Sequence, residues 1–156
     1  MNKNPANFVP LTPISFLHRT ADVYGDYKSV IYEDRTYTWS QTRERCVRVA
    51  SSLNSFGIET GDTISVLAFN TPEMFESHFS IPMAGAILNT INIRLDAPTI
   101  AHIFDDSNAK ILFVDRELYD VASEALSIAS VSPKIVLIND SFASSAPDVS
   151  ADILDY

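Results

Sequence analysis

The fold is decided by the segment Ile81–Pro98, whose sequence is IPMAGAILNTINIRLDAP. Gly85 is placed to end a helix, and Ala86–Leu88 is a short run that is apolar on both faces. Central strands of parallel sheets have this character because helices cover both of their sides. Asn89–Leu95 then leaves the carboxyl end of that strand, where open α/β sheets bind ligands. The segment therefore predicts a helix, a central strand and a polar loop at the ligand-binding edge of a sheet.

The same strand-and-helix unit recurs along the chain. Two threonine–proline dipeptides, Thr12-Pro13 and Thr71-Pro72, mark helix starts. A capping box formed by Thr38 and Gln41 marks another. The predicted helices cover about 13–24, 39–56, 72–84, 98–106 and 116–129, and the predicted strands cover 30–32, 36–38, 63–69, 86–90, 111–114 and 134–138. The first two strands form a predicted hairpin around Glu33-Asp34-Arg35. The rest predicts an α/β fold, with a mostly parallel sheet that is flanked by helices and wound by right-handed crossovers.

Domain organisation follows from the same pattern. Residues 1–10 are predicted to form an irregular arm, and residues 11–138 form the α/β unit. Residues 139–156 are rich in Ser, Ala and Asp and are predicted to be a linker or surface meander.

Composition excludes several functional classes. The net charge of −9 disfavours nucleic-acid binding, which needs clustered Lys and Arg. No apolar run is long enough for a membrane span, and the start, Met1–Pro5, lacks the apolar core of a signal peptide. The single cysteine, Cys46, fits a reducing compartment. The four glycines are never closer than four residues apart, so a glycine-rich phosphate cradle is absent.

Most chemically active side chains in this sequence have structural interpretations. The three histidines stand on separate predicted helices at no metal-binding spacing: His18, His78 and His102. Cys46 falls on the apolar stripe of its helix with Val49, Ala50, Leu53 and Phe56, whereas Arg43, Glu44, Arg45 and Arg48 are predicted to face water. Met74, Phe75, Phe79 and Met83 predict a buried helix face, and Asp105-Asp106 fits a helix end better than a magnesium pocket.

The loop after the predicted strand at 86–90 is the best candidate site. Asn89, Asn92 and Arg94 crowd this strand exit. Two interpretations remain open: the asparagines brace the turns of their own loop, or the loop forms a wall of a ligand channel. Arg116, at the next strand exit, either faces the same crevice or is simply an exposed arginine.

An ordered set of motifs resembles one enzyme family. The set consists of Pro10–Leu17, Tyr37–Trp39, Gly61-Asp62, Asn70–Met74, Pro82–Asp96 and Ala109–Asp115. Together these motifs resemble the amino-terminal α/β subdomain of AMP-forming acid–CoA ligases, above all the plant-type acyl-activating enzymes for short, medium, branched or aromatic acids. The resemblance covers residues 8–138 nearly without a break.

The resemblance implies a two-step reaction with ATP, Mg²⁺ and CoA, in which a carboxylic acid becomes an acyl-adenylate and then an acyl-CoA. The family's phosphate loop, ribose-binding acid and catalytic lysine have no match in this chain. We therefore expect a partial, inactive ligase with no catalytic residue and no cofactor of its own. Asn89, Asn92 and Arg94 resemble a segment beside the acyl and pantetheine channel.

Two other functions stay open at the level of sequence. The chain could be a non-catalytic module that self-associates or pairs with a full-length ligase through an uncovered apolar face. A free-standing flavodoxin-like domain is a third possibility, which the lack of a phosphate-binding cluster disfavours. The family includes peroxisomal and cytosolic enzymes, and Leu154-Asp155-Tyr156 is not a Ser-Lys-Leu-like address, so both compartments remain expectations.

Overall fold

The computed structural model describes residues 4, 8, 10–143 and 153–156. Most of the predicted arm and part of the predicted linker lie outside the described residues, so the domain boundaries remain expectations. The elements in chain order are α1 (Pro13–Tyr24), β1 (Lys28–Tyr32), β2 (Arg35–Thr38), α2 (Trp39–Ser55), β3 (Thr63–Leu67), α3 (Pro72–Met83), β4 (Ile87–Thr90), α4 (Ala97–Ser107), β5 (Ile111–Asp115), a 3₁₀ turn (Arg116–Leu118), α5 (Tyr119–Ile128), β6 (Lys134–Ile138) and β7 (Leu154–Asp155).

The predicted α/β architecture is confirmed. Strands β1 and β2 form an antiparallel hairpin. The other described strands form one parallel sheet in the order β4-β3-β5-β6-β7. The connections that follow β3 and β5 leave in opposite directions along the sheet, so the topological switch point lies between these two strands.

The strand predicted at residues 86–90 is not central in the sheet. β4 is an edge strand, and the Ile87 side chain is 54% exposed. After β4 the chain passes through α4 and returns to the opposite side of β3, where β5 pairs in parallel. Local apolarity predicted the strand correctly, but strand order depends on a pairing 20 or more residues away.

Two smaller predictions also need correction. The hairpin turn contains Glu33 and Asp34 alone, because Arg35 already belongs to β2. Asp115 caps a 3₁₀ turn that precedes α5 rather than a continuous helix from Arg116. Within the predicted linker, Leu154–Asp155 pairs in parallel with β6 and extends the sheet.

Helix ends follow the predicted chemistry. Thr12 and Thr38 both form capping boxes, so two backbone donors are satisfied at the start of α1 and of α2. At the end of α3, Gly85 has φ +83°, its N–H donates to Pro82 and the Ala86 N–H donates to Ile81. This is a Schellman motif, and it turns the chain directly into β4.

Two apolar layers hold the helices to the sheet. One layer lies under α4 and α5 and includes Ile100, Phe104, Leu112 and Val114. The other lies under α2 and α3 and includes Leu53, Ile64, Ile81, Phe113 and Val136. Leu112 and Phe113 belong to opposite layers because successive strand residues point to opposite faces. The sheet is therefore covered on both sides, and its carboxyl edge carries the exposed loops.

Candidate functional site

A groove of about 470 Å³ opens at the carboxyl ends of β3 and β4. Its lining residues, which define the β3–β4 groove, are Ala68, Phe69, Asn70, Met74, His78, Thr90, Ile91, Asn92 and Ile93. The walls are mainly apolar, and amide, hydroxyl and imidazole groups are set among them. This chemistry suits an extended ligand that carries amide groups between apolar surfaces.

His78 lines the β3–β4 groove. Its Nδ1 lies 2.9 Å from the Met74 carbonyl oxygen on the preceding turn of α3. A carbonyl oxygen only accepts, so Nδ1 donates in this contact. The groove therefore presents an imidazole ring from His78 and amide groups, with both donor and acceptor atoms, from Asn70 and Asn92.

The structure separates the three predicted site residues. Asn92 lines the β3–β4 groove, and its Oδ1 also accepts the Arg94 N–H at 3.0 Å. Asn89 instead donates its amide to the Ser65 hydroxyl at 3.0 Å, across the β3–β4 pair. Arg94 is exposed and lies outside the groove lining. Loop bracing thus accounts for part of this polar cluster, and Asn92 alone combines bracing with a position in the groove.

The switch point between β3 and β5 is occupied by the chain's own carboxylate. Asp115, at the end of β5, is 1% exposed and accepts a backbone hydrogen bond from Glu117 at 3.0 Å, while the backbone N–H of Phe69 after β3 opposes the rise in its pKa. Burial raises the pKa of this carboxyl group above its ordinary value. The group therefore ties two neighbouring strand exits together instead of leaving a crevice open.

A cluster of ion pairs lies beside this position. Arg35 of β2 contacts Asp140, which follows β6, at 3.1 Å and Glu73 of α3 at 3.4 Å. Tyr32 also donates its hydroxyl to Asp140. Glu73 and Asp140 expose only 7% of their side chains. The cluster fixes the hairpin against the carboxyl edge of the sheet.

A second part of the cluster reaches α2, where the sequence predicted Arg45 to face water. Arg45 is only 25% exposed; it pairs with the fully buried carboxylate of Glu76 and contacts Glu73 at 3.4 Å. The Tyr156 hydroxyl donates to the other Glu76 oxygen at 3.3 Å. Burial raises the pKa of Glu76, whereas the neighbouring Arg45 opposes that rise. Sequence patterns missed this pair because its partners lie on different helices.

The predicted buried face of α3, Met74, Phe75, Phe79 and Met83, is confirmed only for Met74. Met74 is buried, but Phe75, Phe79 and Met83 are partly exposed. The buried residues of the helix include a polar set: Glu73, Glu76, Ser77 and Ser80. The sequence did contain a signal for an ion-paired interface between α2 and α3. Glu73 and Glu76 are three residues apart and stand beside serines on α3, and α2 carries several arginines.

The remaining candidates have structural positions. Cys46 is fully buried, as predicted, and burial raises its pKa to about 12. Asp105 lies in the last turn of α4, as predicted, and accepts the backbone N–H groups of Ser130 and Val131. Arg116 donates to Asn139 at 3.2 Å. Residues 4, 8, 10–143 and 153–156 contain no group of three or more His, Cys, Asp or Glu side chains that could hold a metal ion.

The described strand exits lack the glycine-rich turns of a triphosphate cradle. Phosphate cradles need backbone N–H groups in glycine-rich turns and cations directed at the ligand. Residues 68–71, 91–96, 115–118 and 139–143 contain no glycine. The carboxylates of Glu73, Asp115 and Asp140 lie at this edge, and two of them already hold Arg35.

The comparisons with known proteins agree with this architecture. The model of the family described as AMP-binding enzyme matches residues 17–153. The chain belongs to the AMP-binding enzyme family. It is 48% identical over 143 residues to a 2-methylpropanoate–CoA ligase of Humulus lupulus, and this match covers 90% of the chain and 26% of the relative. A peroxisomal butyrate–CoA ligase of Arabidopsis thaliana is 47% identical over 147 residues, with 91% of the chain and 26% of the relative covered.

Solved structures place this AMP-binding family member in the same fold. An anthranilate–CoA ligase in complex with anthranoyl-AMP aligns with a TM-score of 0.81 and 23% identity, over 90% of this chain and 26% of that protein. At this identity the likeness shows the fold alone. The chain spans about a quarter of the length of the curated relatives that it matches. Among the described residues, no helix has the length and apolarity that a membrane crossing requires.

Proposed function

We propose that this chain contributes one wall of the substrate channel of an acid–CoA ligase that uses ATP, Mg²⁺ and CoA. The β3–β4 groove supports this assignment, because its apolar walls and amide, hydroxyl and imidazole groups suit an extended thiol-bearing arm with amide bonds. Asn92 and His78 are its principal polar groups. Asn89 would act indirectly, by fixing the strand through Ser65, and Arg94 would flank the entrance.

The substrate is proposed to be a short, branched or aromatic carboxylic acid. Relatives at 47–48% identity are named for 2-methylpropanoate, butyrate and trans-cinnamate. Because two of these names specify the peroxisome, we propose a peroxisomal or cytosolic location for this protein.

The isolated chain is proposed to carry out neither reaction step. Phosphoryl chemistry depends on positioned donors and Mg²⁺ around the triphosphate. The described strand exits instead present buried carboxylates and a paired arginine. The chain incubated with ATP-Mg²⁺, CoA and 2-methylpropanoate should give no acyl-CoA above the enzyme-free rate; turnover would contradict the proposal.

A chimera tests the channel assignment. Residues 8–156 would replace the aligned quarter of the Humulus lupulus ligase, and acyl-CoA formation would be followed with varied CoA and acid. We expect an active chimera in which Asn92→Ala raises the KM for CoA by about 3- to 10-fold, as the loss of one hydrogen bond to a ligand would do. The matched control is Asn54→Ala, because Asn54 lies on α2 and does not line the β3–β4 groove. Equal effects of the two substitutions would refute the assignment of Asn92.

A second candidate function is a non-catalytic module that self-associates or pairs with a full-length ligase. It is supported by six large side chains within residues 11–31 that are each more than half exposed: Leu11, Phe16, Val23, Tyr24, Tyr27 and Ile31. Contiguous apolar exposure is typical of interaction sites, and the rings of Tyr24 and Tyr27 in this set contact each other edge to face. Light scattering after size-exclusion chromatography should then detect a dimer or a complex with the added Humulus lupulus ligase. A monomer that forms no complex would contradict this alternative.

A further inference from the structure

Helix α3 presents two different faces to its surroundings. Met74 and His78, one turn apart on the helix, line the β3–β4 groove, and Asn70 lines it from just before the helix. Glu73 is buried on another face, where the ion-pair cluster lies. Successive helical residues are about 100° apart around the axis, so Glu73 and its neighbour Met74 point in different directions from the same turn. The first turn of α3 therefore belongs both to the groove and to the ion-pair cluster.

Two arginines from different elements hold Glu73. Arg35 of β2 and Arg45 of α2 each place a guanidinium nitrogen 3.4 Å from Glu73 Oε1. Only 7% of the Glu73 side chain is exposed. Water competes little with ion pairs at this depth, so the positions of the guanidinium groups decide where the carboxylate lies. The start of α3 is therefore tied to the β1–β2 hairpin as well as to α2.

Arg35 is itself held by groups outside α3. A second guanidinium nitrogen lies 3.1 Å from Asp140, and its Cζ atom lies 5.0 Å from the centre of the Tyr32 ring. Tyr32 also donates its hydroxyl to Asp140. These contacts join the hairpin to the segment that follows β6. Arg35 is therefore a fixed point for the rotation of α3 about its own axis.

A small rotation of α3 is enough to change the β3–β4 groove. Side-chain tips lie about 5–6 Å from the axis of a helix, so a rotation of about 10° moves them by about 1 Å. A hydrogen bond to a ligand does not survive such a shift, since it needs a donor–acceptor distance of about 2.7–3.2 Å. The His78 ring moves with the helix, because its Nδ1 lies 2.9 Å from the Met74 carbonyl oxygen.

We propose that Arg35 is a positioning residue for the β3–β4 groove. Acting through Glu73, it fixes the rotation of α3 and thereby places Met74 and His78 on the groove wall. This role rests on the proposed function, in which an acid–CoA ligase uses the groove for the thiol-bearing arm of CoA. The β1–β2 hairpin, which pairs with no described strand of the parallel sheet, thus takes part in substrate binding.

The position of His78 can be measured in the 156-residue chain itself. Heteronuclear NMR spectra of the imidazole rings, assigned by substitution of each histidine with Gln, separate His78 from His18 and His102. We expect Arg35→Met to shift the His78 signals and to leave the His102 signals in place. His102 lies on α4, which packs on the opposite face of the sheet from α3.

The matched control is Arg43→Met. Arg43 joins α2 to α1 through its ion pair with Asp22, so this substitution breaks a contact between two elements without removing a partner of α3. It should leave the His78 signals in place. Circular dichroism melts establish that each variant is folded, so a shifted signal reports a moved ring in the folded chain rather than a loss of stability.

Glu73→Gln tests whether the effect of Arg35 passes through Glu73. This substitution removes the carboxylate that Arg35 contacts on α3 but leaves Arg35 paired with Asp140. It should shift the His78 signals as Arg35→Met does. When Glu73 is already Gln, Arg35→Met should cause little further shift, because the two substitutions act on one contact. Additive shifts would contradict an action of Arg35 through Glu73.

Kinetics of the chimera with the Humulus lupulus ligase relate this position to binding. Arg35→Met should raise the KM for CoA about threefold and change kcat by less than about twofold, as loss of uniform binding does. Arg43→Met should leave both constants unchanged. Asn92→Ala is measured alongside: if it leaves the KM unchanged, the channel assignment has failed and the His78 signals decide the role of Arg35. Unmoved His78 signals in Arg35→Met, or equal KM values for Arg35→Met and Arg43→Met in a chimera that responds to Asn92→Ala, would overturn the proposal.

Discussion

The Arg45–Glu76 pair should be far more sensitive to loss of the arginine than to loss of the acid. Glu76 has a fully buried carboxylate, and Arg45 is its sole described cation partner within salt-bridge distance. Arg45→Met preserves most of the side-chain volume but leaves this carboxylate without a counter-charge. Breaking a buried pair in this way costs about 3–5 kcal/mol. Because Arg45 is 25% exposed, the expected loss lies at the lower end, about 3 kcal/mol.

Urea unfolding at pH 7, followed by circular dichroism, measures this loss. A change of about 3 kcal/mol corresponds to a fall of roughly 6–12 °C in Tm for a domain of this size. Arg48→Met is the matched control on the same helix, since its pair with Glu44 is 66% and 68% exposed; its cost should stay below about 0.5 kcal/mol.

The sign of the pH dependence provides an independent check. In Arg45→Met the folded-state pKa of Glu76 rises further, because burial is no longer opposed by a cation. The folded state then binds the extra proton above the unfolded pKa of about 4.3, so the stability of the variant falls as pH rises through this window. The deficit relative to the natural chain should therefore shrink between pH 7 and pH 5.

The double variant Arg45→Met, Glu76→Leu completes the test. It removes both charges, so it should recover at least half of the loss caused by Arg45→Met alone. A cost below about 1 kcal/mol for Arg45→Met, or additive losses in the double variant, would refute the assignment of a buried charge pair.

Three further predictions follow from local geometry. Hydrogen bonding to Asp140 raises the pKa of Tyr32 to about 12; stability should therefore fall between pH 10 and 12, and Tyr32→Phe should remove that part of the fall in an alkaline unfolding series. Burial of Cys46 and its pKa of about 12 should leave the thiol unreactive toward a disulfide reagent in the folded chain and reactive in urea, as absorbance would record. Gly85→Ala should lower the free energy of unfolding, measured by urea titration, by about 2 kcal/mol, because φ is +83° and a Cβ would lie 2.8 Å from the Thr60 hydroxyl oxygen. Gly57→Ala should lower it by only about 1 kcal/mol, because φ is +80° but the space around the new Cβ is open.

Much of the fold could be predicted because its signals are local. Capping residues such as Thr38 and the apolar runs of β3, β5 and β6 define elements without reference to the rest of the chain. The edge position of β4 could not be predicted, because it depends on which side of β3 accepts β5. The two-residue β7 is too short to show any periodicity.

The candidate site was predicted less completely. The polar loop after β4 was found at a strand exit, and Asn92 lines a groove there, but Asn89 bonds within the sheet and Arg94 lies outside the lining. Glu73 and Glu76 were missed because a buried acid looks like a solvated one until its arginine partner is placed. Arg45 precedes Glu73 by 28 residues and Glu76 by 31 residues, so no helical or strand periodicity connects the arginine with either acid.

Isothermal titration of the isolated chain with ATP-Mg²⁺ tests most directly the proposal that this α/β unit, a member of the AMP-binding enzyme family, lacks triphosphate-binding groups of its own. The account predicts no saturable heat up to millimolar nucleotide, from a chain whose circular dichroism melt shows it to be folded. Binding in the micromolar range would contradict it.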